Sequence, residues 1–343
     1  MKQKITVAGD ITSGLAHFAL AGLSLLARSL TNSRIVTYWN QDPSPRGVLE
    51  VDDVDPEQLA EQIRILSTRW ATGWTSVRVK YAEGTFSPIS PRFKAIDPQK
   101  HPDDWIEHQV ARTNILDELY KQDDMLALQL IQGLGEAAYW RFDGKDPRPD
   151  HGASRWEMKT RNRGEEFVSQ KLFKYVEELA EWSPDKILSG IKGESATDPF
   201  GKEDSRTPSG FTPPGETDLA LAFTALLGIG QFPLTLRIDK MSVTPGAYPN
   251  SDLHPKVAVL PVSTVPITPE RFESIALSKD WAIITQVLGS RILNRKCDVS
   301  GLEETSTRLK QYGIPGAAVF RIHRGGSSTA PERYFEKGKI HLL

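Results

Sequence analysis

Three kinds of apolar pattern alternate along the chain. Residues 15–27 and 219–229 are apolar on all sides, and both fall short of the roughly 20 apolar residues that a membrane span needs. Each is therefore expected to be a helix buried in a core. Apolar residues at three- and four-residue steps mark amphipathic helices instead. The longest such stretch covers 103–139, with Ile106, Val110, Ile115, Leu116, Leu119, Met125, Leu126, Leu130 and Leu134 as its apolar positions. Further helices are expected over 55–70, 165–182, 184–189, 269–293 and 302–311. Short runs rich in β-branched and aromatic residues predict strands at 5–8, 34–39, 47–51, 76–81, 257–262, 317–323, 334–335 and 340–342.

Start signals order these elements. Asp10, Thr12 or Ser13 can cap the first core helix, so the chain opens as strand, turn and buried helix. Pro88, Pro91 and Pro98 close an N-terminal α+β lobe over 1–95. Residues 96–233 read as mainly helical, with a basic segment and a loop over 190–215 rich in Gly and Pro. A loop of that length in a compact domain is usually functional or disordered. Residues 234–343 return to an α+β pattern. The fold class expected is α+β, with short mixed sheets packed against helices, an N-terminal strand–turn–core helix and a helical middle.

Composition narrows the possible functions. The chain has 343 residues, 42 Lys+Arg against 44 Asp+Glu and a net charge of −2, so it does not coat nucleic acid through bulk charge. Cys297 is the single cysteine, which excludes an internal disulfide and Cys-rich zinc folds. Lys2, Lys4 and the apolar run after them imitate a signal peptide. Asp10 separates the two parts, His17 interrupts the run and Arg28 ends it, so a core helix in a cytoplasmic protein, with no membrane contact, is expected. The charge is unevenly spread. From Arg291 onward ten cations face five acids, whereas residues 42–61 are acidic.

Catalytic signatures are mostly missing. The Gly-Lys pairs lack the earlier glycine of a phosphate-binding loop, and Pro233 stands where a dinucleotide fingerprint beginning at Gly228 needs glycine. Asp104 and His108, one helical turn apart beside Asp103 and Glu107, are the best metal candidates. Dipole-favoured acids at a helix start explain them more simply, so no metal and no cofactor is expected. His17 on an apolar helix reads as a buried, hydrogen-bonded side chain before it reads as a base. His323, with Arg321 and Arg324 before Gly325-Gly326, has the residue types to hold a phosphodiester and move a proton. A strand ending in a surface turn is the plainer account.

The strongest local signal is Ser154-Arg155-Trp156-Glu157-Met158-Lys159-Thr160-Arg161-Asn162-Arg163-Gly164. Guanidinium groups chelate phosphate oxygens and an interleaved tryptophan can stack on a base. Arg155, Trp156, Lys159, Arg161 and Arg163 are therefore candidate nucleic-acid contacts. Were the segment a strand, Arg155, Glu157 and Lys159 would line one face and Trp156 and Met158 the other, the pattern of a half-buried edge.

Ile11-Thr12-Ser13-Gly14-Leu15-Ala16-His17-Phe18-Ala19-Leu20-Ala21-Gly22-Leu23, Ser154-Arg155-Trp156-Glu157, and Asp204-Ser205-Arg206-Thr207-Pro208-Ser209-Gly210 through Pro213-Pro214-Gly215 to Gln231-Phe232-Pro233 together resemble CRISPR-associated proteins of type I-U (I-G) systems. The resemblance covers the start of the chain and 154–233. It implies a subunit of an effector complex that works with guide RNA and target DNA in prokaryotic antiviral defence, beside other CRISPR-associated subunits. It carries over no catalytic residues, and it adds Arg206 to the candidate contacts. A non-catalytic, nucleic-acid-associated subunit is thus the expectation. The alternative is a metal-independent endoribonuclease that matures guide RNA, with His17 or His323 as acid or base and Arg324 near the scissile phosphate.

Overall fold

Strand β1 (Lys2–Thr6) leads into helix α1 (Gly14–Arg28), whose first turn is capped by Ser13 accepting from the Ala16 amide at 3.3 Å. The computed structural model describes residues 2–82, 84–92, 96–97, 99–158, 166–201, 207–326 and 331–343. Strands β2 (Ile35–Trp39) and β3 (Gly47–Asp52) complete an antiparallel sheet in the order β1-β3-β2. Ile5 and Leu49 pair across it and both belong to the core. Helix α2 (Pro56–Ala71) begins at a capping box. Asp55 accepts from the Gln58 amide at 2.7 Å while the Gln58 side chain accepts from the Asp55 amide at 2.9 Å.

A small hairpin, β4 (Val79–Tyr81) and β5 (Gly84–Phe86), precedes helices α3 (Pro102–Lys121) and α4 (Met125–Leu134). The single helix expected over 103–139 is therefore broken. Asp123 takes a φ of 55°, and Asp124 caps α4 by accepting from the Ala127 amide at 3.1 Å. The same buried carboxylate accepts from the Trp70 indole at 2.8 Å, so the break is tied to α2. A short aspartate side chain that caps a new helix outcompetes continuation of the old one.

The two-residue strands β6 (Phe142–Asp143) and β7 (Asp146–Pro147) form a second hairpin. Helix α5 (Phe173–Ala180) is reached through a π-turn over Val168–Leu172 and is followed by α6 (Pro184–Lys192) and α7 (Leu219–Leu227). The C-terminal part holds β8 (Ala247–Tyr248), β9 (Val257–Val262), α8 (Pro269–Ala276), α9 (Lys279–Ile292), α10 (Leu302–Gln311), β10 (Gly316–Gly326), β11 (Pro331–Phe335) and β12 (Lys339–Leu342). One helix was expected over 269–293. Ser278 divides it by capping α9, accepting from the Trp281 amide at 3.0 Å.

These elements build an α+β fold with short antiparallel sheets, an N-terminal strand–turn–core helix and a helical middle. The C-terminal sheet runs β11-β10-β9-β8, and β12 also pairs with the long β10. Beyond β9 the chain joins the N-terminal sheet, since the Thr37 amide donates to Ile267 O at 2.8 Å and the Trp39 amide to Ser263 O at 2.8 Å. The two faces of β9 and β10 bury different partners. Ala258, Leu260, Ala318 and Phe320 belong to the main core, while Val257, Val259, Ala317 and Val319 pack with Trp281, Ile284 and Leu309. That double burial explains why β9 is a continuous apolar run instead of an alternating one.

Helix α1 is buried from Gly14 to Ala27. It meets α7 and the turn after it backbone to backbone, because a Cβ on Gly22 would lie 1.8 Å from Thr224 O and one on Gly228 would lie 2.0 Å from Phe18 O. Around Phe18, the rings of Phe211 (3.9 Å, stacked), Phe232, Trp156 and Phe335 gather residues distant in sequence into one core. Ile106 and Val110, which the periodicity assigns to a core face, are instead 65% and 55% exposed. Among the described residues, no helix is long and apolar enough to cross a membrane.

Candidate nucleic-acid interface

The basic segment does not present its first residues to solvent. Arg155 is 1% exposed, and backbone carbonyls take up its guanidinium. Nη1 donates to Ala153 O at 2.6 Å, Nη2 to Ser242 O at 3.3 Å and Nε to Asp252 O at 3.3 Å. Trp156 is fully buried against Phe18, Phe335 and Phe232. The expectation that these two side chains meet a phosphate and a base is corrected accordingly: Arg155 ties the chain around Ser242 and Asp252 to Ala153, and Trp156 is core. Residues 154–158 form no strand and are all buried, so the alternation that would separate two faces is absent from them. Lys159, Arg161, Arg163 and Arg206 lie outside the described residues.

A different set of arginines converges nearby. Strands β10 and β11 pair so that Arg324 stands directly opposite Arg333, next to the Ile322–Phe335 pair. Alternation puts Arg324 and Arg333 on the Phe335 side of the hairpin, and Phe335 is fully buried. Directly opposed like charges destabilise a strand pair. Arg92 lies close by and is the largest charge acting on Arg333, followed by Arg324. Burial first, then these two cations, bring the Arg333 guanidinium down to about 10. Arg155 is lowered to about 10 as well, by burial and then by Arg92.

Among the described residues, Glu157 is the carboxylate that pairs with this set of arginines. Arg92 Nε pairs with Glu157 Oε2 at 2.9 Å and its Nη2 donates to Ser154 O at 2.6 Å and Glu157 O at 3.0 Å. Among the described residues no carboxylate pairs with Arg333 or Arg324, and Arg92 Nη1 and Arg333 Nε are buried without an acceptor. The loop after residue 206 closes one side. The Phe335 amide donates to Gly210 O at 2.9 Å, and a Cβ on Gly210 would sit 3.0 Å from Met158 Cβ. Arg324 and Arg333 carry guanidiniums that can hold an anion, and buried Arg92, paired with Glu157, adds positive charge beside them.

The histidines sit elsewhere. His323 is one residue from Arg324 and so projects from the opposite face of the hairpin, stacked on Tyr334 at 4.5 Å with Nδ1 3.7 Å from Glu336. His323 shares its face of β10 with Arg321 and not with Arg324. His17 is 8% exposed, hydrogen-bonded through Nε2 to Ile11 O at 2.8 Å, and burial lowers it to about 4. It is a neutral core side chain. Asp104 and His108 are both engaged by the Tyr81–Ala82 segment. Asp104 accepts from the Ala82 amide at 3.0 Å, and buried His108 meets the Tyr81 hydroxyl at 3.2 Å. Among the described residues, no group of three or more His, Cys, Asp or Glu side chains is arranged to hold a metal ion.

The buried histidine carries a stability prediction. An unfolded chain has its histidines near 6.5, so between about pH 6.5 and pH 4 it binds a proton that folded His17 does not. Stability should therefore fall as the pH falls through that window, by about 3 kcal/mol from this group at the acid end. Urea titrations at a series of pH values should give a His17→Gln chain an acid limb shallower by about one proton. Identical slopes would show that His17 does not stay neutral.

The sequence contained part of this site. Arg324 was legible as a cation beside glycines, but its partner Arg333 becomes visible only once the hairpin register is fixed. Arg92 carried no signal at all. No protein-family model, no curated protein and no solved structure matches the chain.

Proposed function

We propose that this chain is a non-catalytic subunit of a prokaryotic CRISPR effector complex, one that grips backbone phosphates of guide RNA or target DNA with Arg324 and Arg333, while buried Arg92 adds positive charge beside them. The observation that carries the phosphate-binding half is the cross-strand pair of arginines on the side of the hairpin that also holds Arg92, with Glu157 as the described counter-charge. Opposed like charges weaken a strand pair and an anion bound between them would relieve that cost, which supports a phosphate-binding reading. The effector-complex half rests on the sequence resemblance. Phosphate contacts of this kind position a nucleic acid without reading its sequence, which suits a subunit whose neighbours supply the base pairing. Its place would be the cytoplasm, in company with other CRISPR-associated subunits.

Fluorescence anisotropy with labelled single-stranded RNA and duplex DNA tests this reading. Changing Arg324 and Arg333 together to Ala should weaken binding about tenfold or more, equivalent to about 1.4 kcal/mol. Arg321 is exposed and donates to Ile292 O at 2.8 Å, and it lies on the other face of β10. An Arg321→Ala chain should therefore bind like the parent. Equal affinity of the double variant and the parent would remove the proposal.

A further inference from the structure

Helix α3 carries large apolar side chains on two faces. Its inner face holds buried Trp105, His108, Arg112 and Leu119, and Arg112 anchors it by pairing with Glu136 at 3.3 Å and donating to Gly135 O at 3.2 Å. Its outer face carries Ile106, Val110 and Tyr120, which are 65%, 55% and 72% exposed. These positions are not scattered. Asp103, Ile106, Val110, Thr113, Asp117 and Tyr120 follow one another at alternating three- and four-residue steps, the spacing of the seam in a two-helix contact. From Ile106 to Tyr120 the seam runs about 21 Å at 1.5 Å per residue.

The charges beside the seam select the partner. Asp103, Glu107, Asp117 and Glu118 are exposed on α3, against Lys121 as the exposed cation of the helix. Glu107 and Glu118 border one side of the seam at helical spacing, and Asp117 stands within it. A polar residue at a seam position fixes register by demanding a complementary group opposite it. We propose that the outer face of α3 docks a basic amphipathic helix of a partner protein, with a Lys or Arg of that helix facing Asp117. A second copy of this chain would bring acid against acid, and an anionic lipid surface would be repelled in the same way. This surface is independent of the arginine site and stands whether or not that site binds nucleic acid.

The probe is a synthetic helical peptide of about three heptads with Leu at the seam positions and Lys beside them, compared with a peptide identical except for Glu beside the seam. Anisotropy titration against the full chain should show the Lys peptide binding at least about tenfold more tightly than the Glu peptide. Ile106→Asp with Val110→Asp should weaken the Lys peptide about tenfold or more, although the added acids would strengthen a purely electrostatic contact. Both positions are exposed, so the melting temperature should be unchanged. Equal binding of the two peptides, failure of both to bind, or an unaffected double variant would each overturn the proposal. So would sedimentation showing a dimer of the chain that the double variant abolishes, because the occupant would then be a second copy.

Discussion

A Gly22→Ala chain should be severely destabilised, by about 4 kcal/mol or more, in urea or thermal unfolding followed by circular dichroism. Helix propensity alone argues the other way, since alanine is favoured over glycine by about 1 kcal/mol within a helix. The added methyl carbon would sit 1.8 Å from Thr224 O and 2.9 Å from the Gly228 nitrogen. Neither atom belongs to a flexible side chain, so α1 and α7 must separate to admit it. These two helices form the centre of the core, with Phe18 and Phe223 both fully buried, and separating them opens voids along the whole contact. A total stability of about 5–15 kcal/mol would leave such a chain marginal. A melting temperature equal to or above that of the parent would show that the helices do not approach at Gly22.

The second large effect is expected at Glu157. Its side chain is fully buried and pairs at 2.9 Å with Arg92, itself 7% exposed at the side chain. Replacing Glu157 with Gln leaves the Arg92 guanidinium buried beside Arg155 and Arg333 with less counter-charge, a loss of about 3–5 kcal/mol. The double change Arg92→Met with Glu157→Gln should recover much of that loss, because the repulsive cation is removed as well. An anion that enters the cluster should substitute for the missing carboxylate. Sulfate or inorganic phosphate is therefore expected to raise the melting temperature of the Glu157→Gln chain more than that of the parent. A single variant as stable as the parent would mean that the cluster carries no strain.

The parts legible in the sequence are those where one physical demand acts alone. Residues 15–27 and 219–229 read as buried helices and the run at 257–262 as a strand, because burial on every side leaves few alternatives. Helix α3 was half legible. Periodicity reports that Ile106 and Val110 share a helical face but not what covers that face, and here the core takes the opposite one. The break at Asp123 was hidden because apolar steps continue across it, while the deciding contact, Trp70 on Asp124, spans distant parts of the chain. Arg155 and Trp156 show the same limit for a site. Composition gives their charge and aromaticity, whereas direction is set by carbonyls near Ser242 and Asp252 and by rings gathered from far along the chain. The opposed arginines emerge from strand register, which local sequence does not specify.

Salt dependence of nucleic-acid binding tests the central claim most directly. Each neutralised phosphate contributes about 0.7 to the slope of log K against log salt for a single strand and about 0.9 for a duplex. Anisotropy titrations of the parent and of the Arg324→Ala, Arg333→Ala chain over a range of salt concentrations should give slopes differing by about 1.4 on single-stranded RNA, or about 1.8 on duplex DNA, with the variant shallower. Parallel lines, or binding by the parent that ignores salt, would contradict the assignment of these arginines to backbone phosphates.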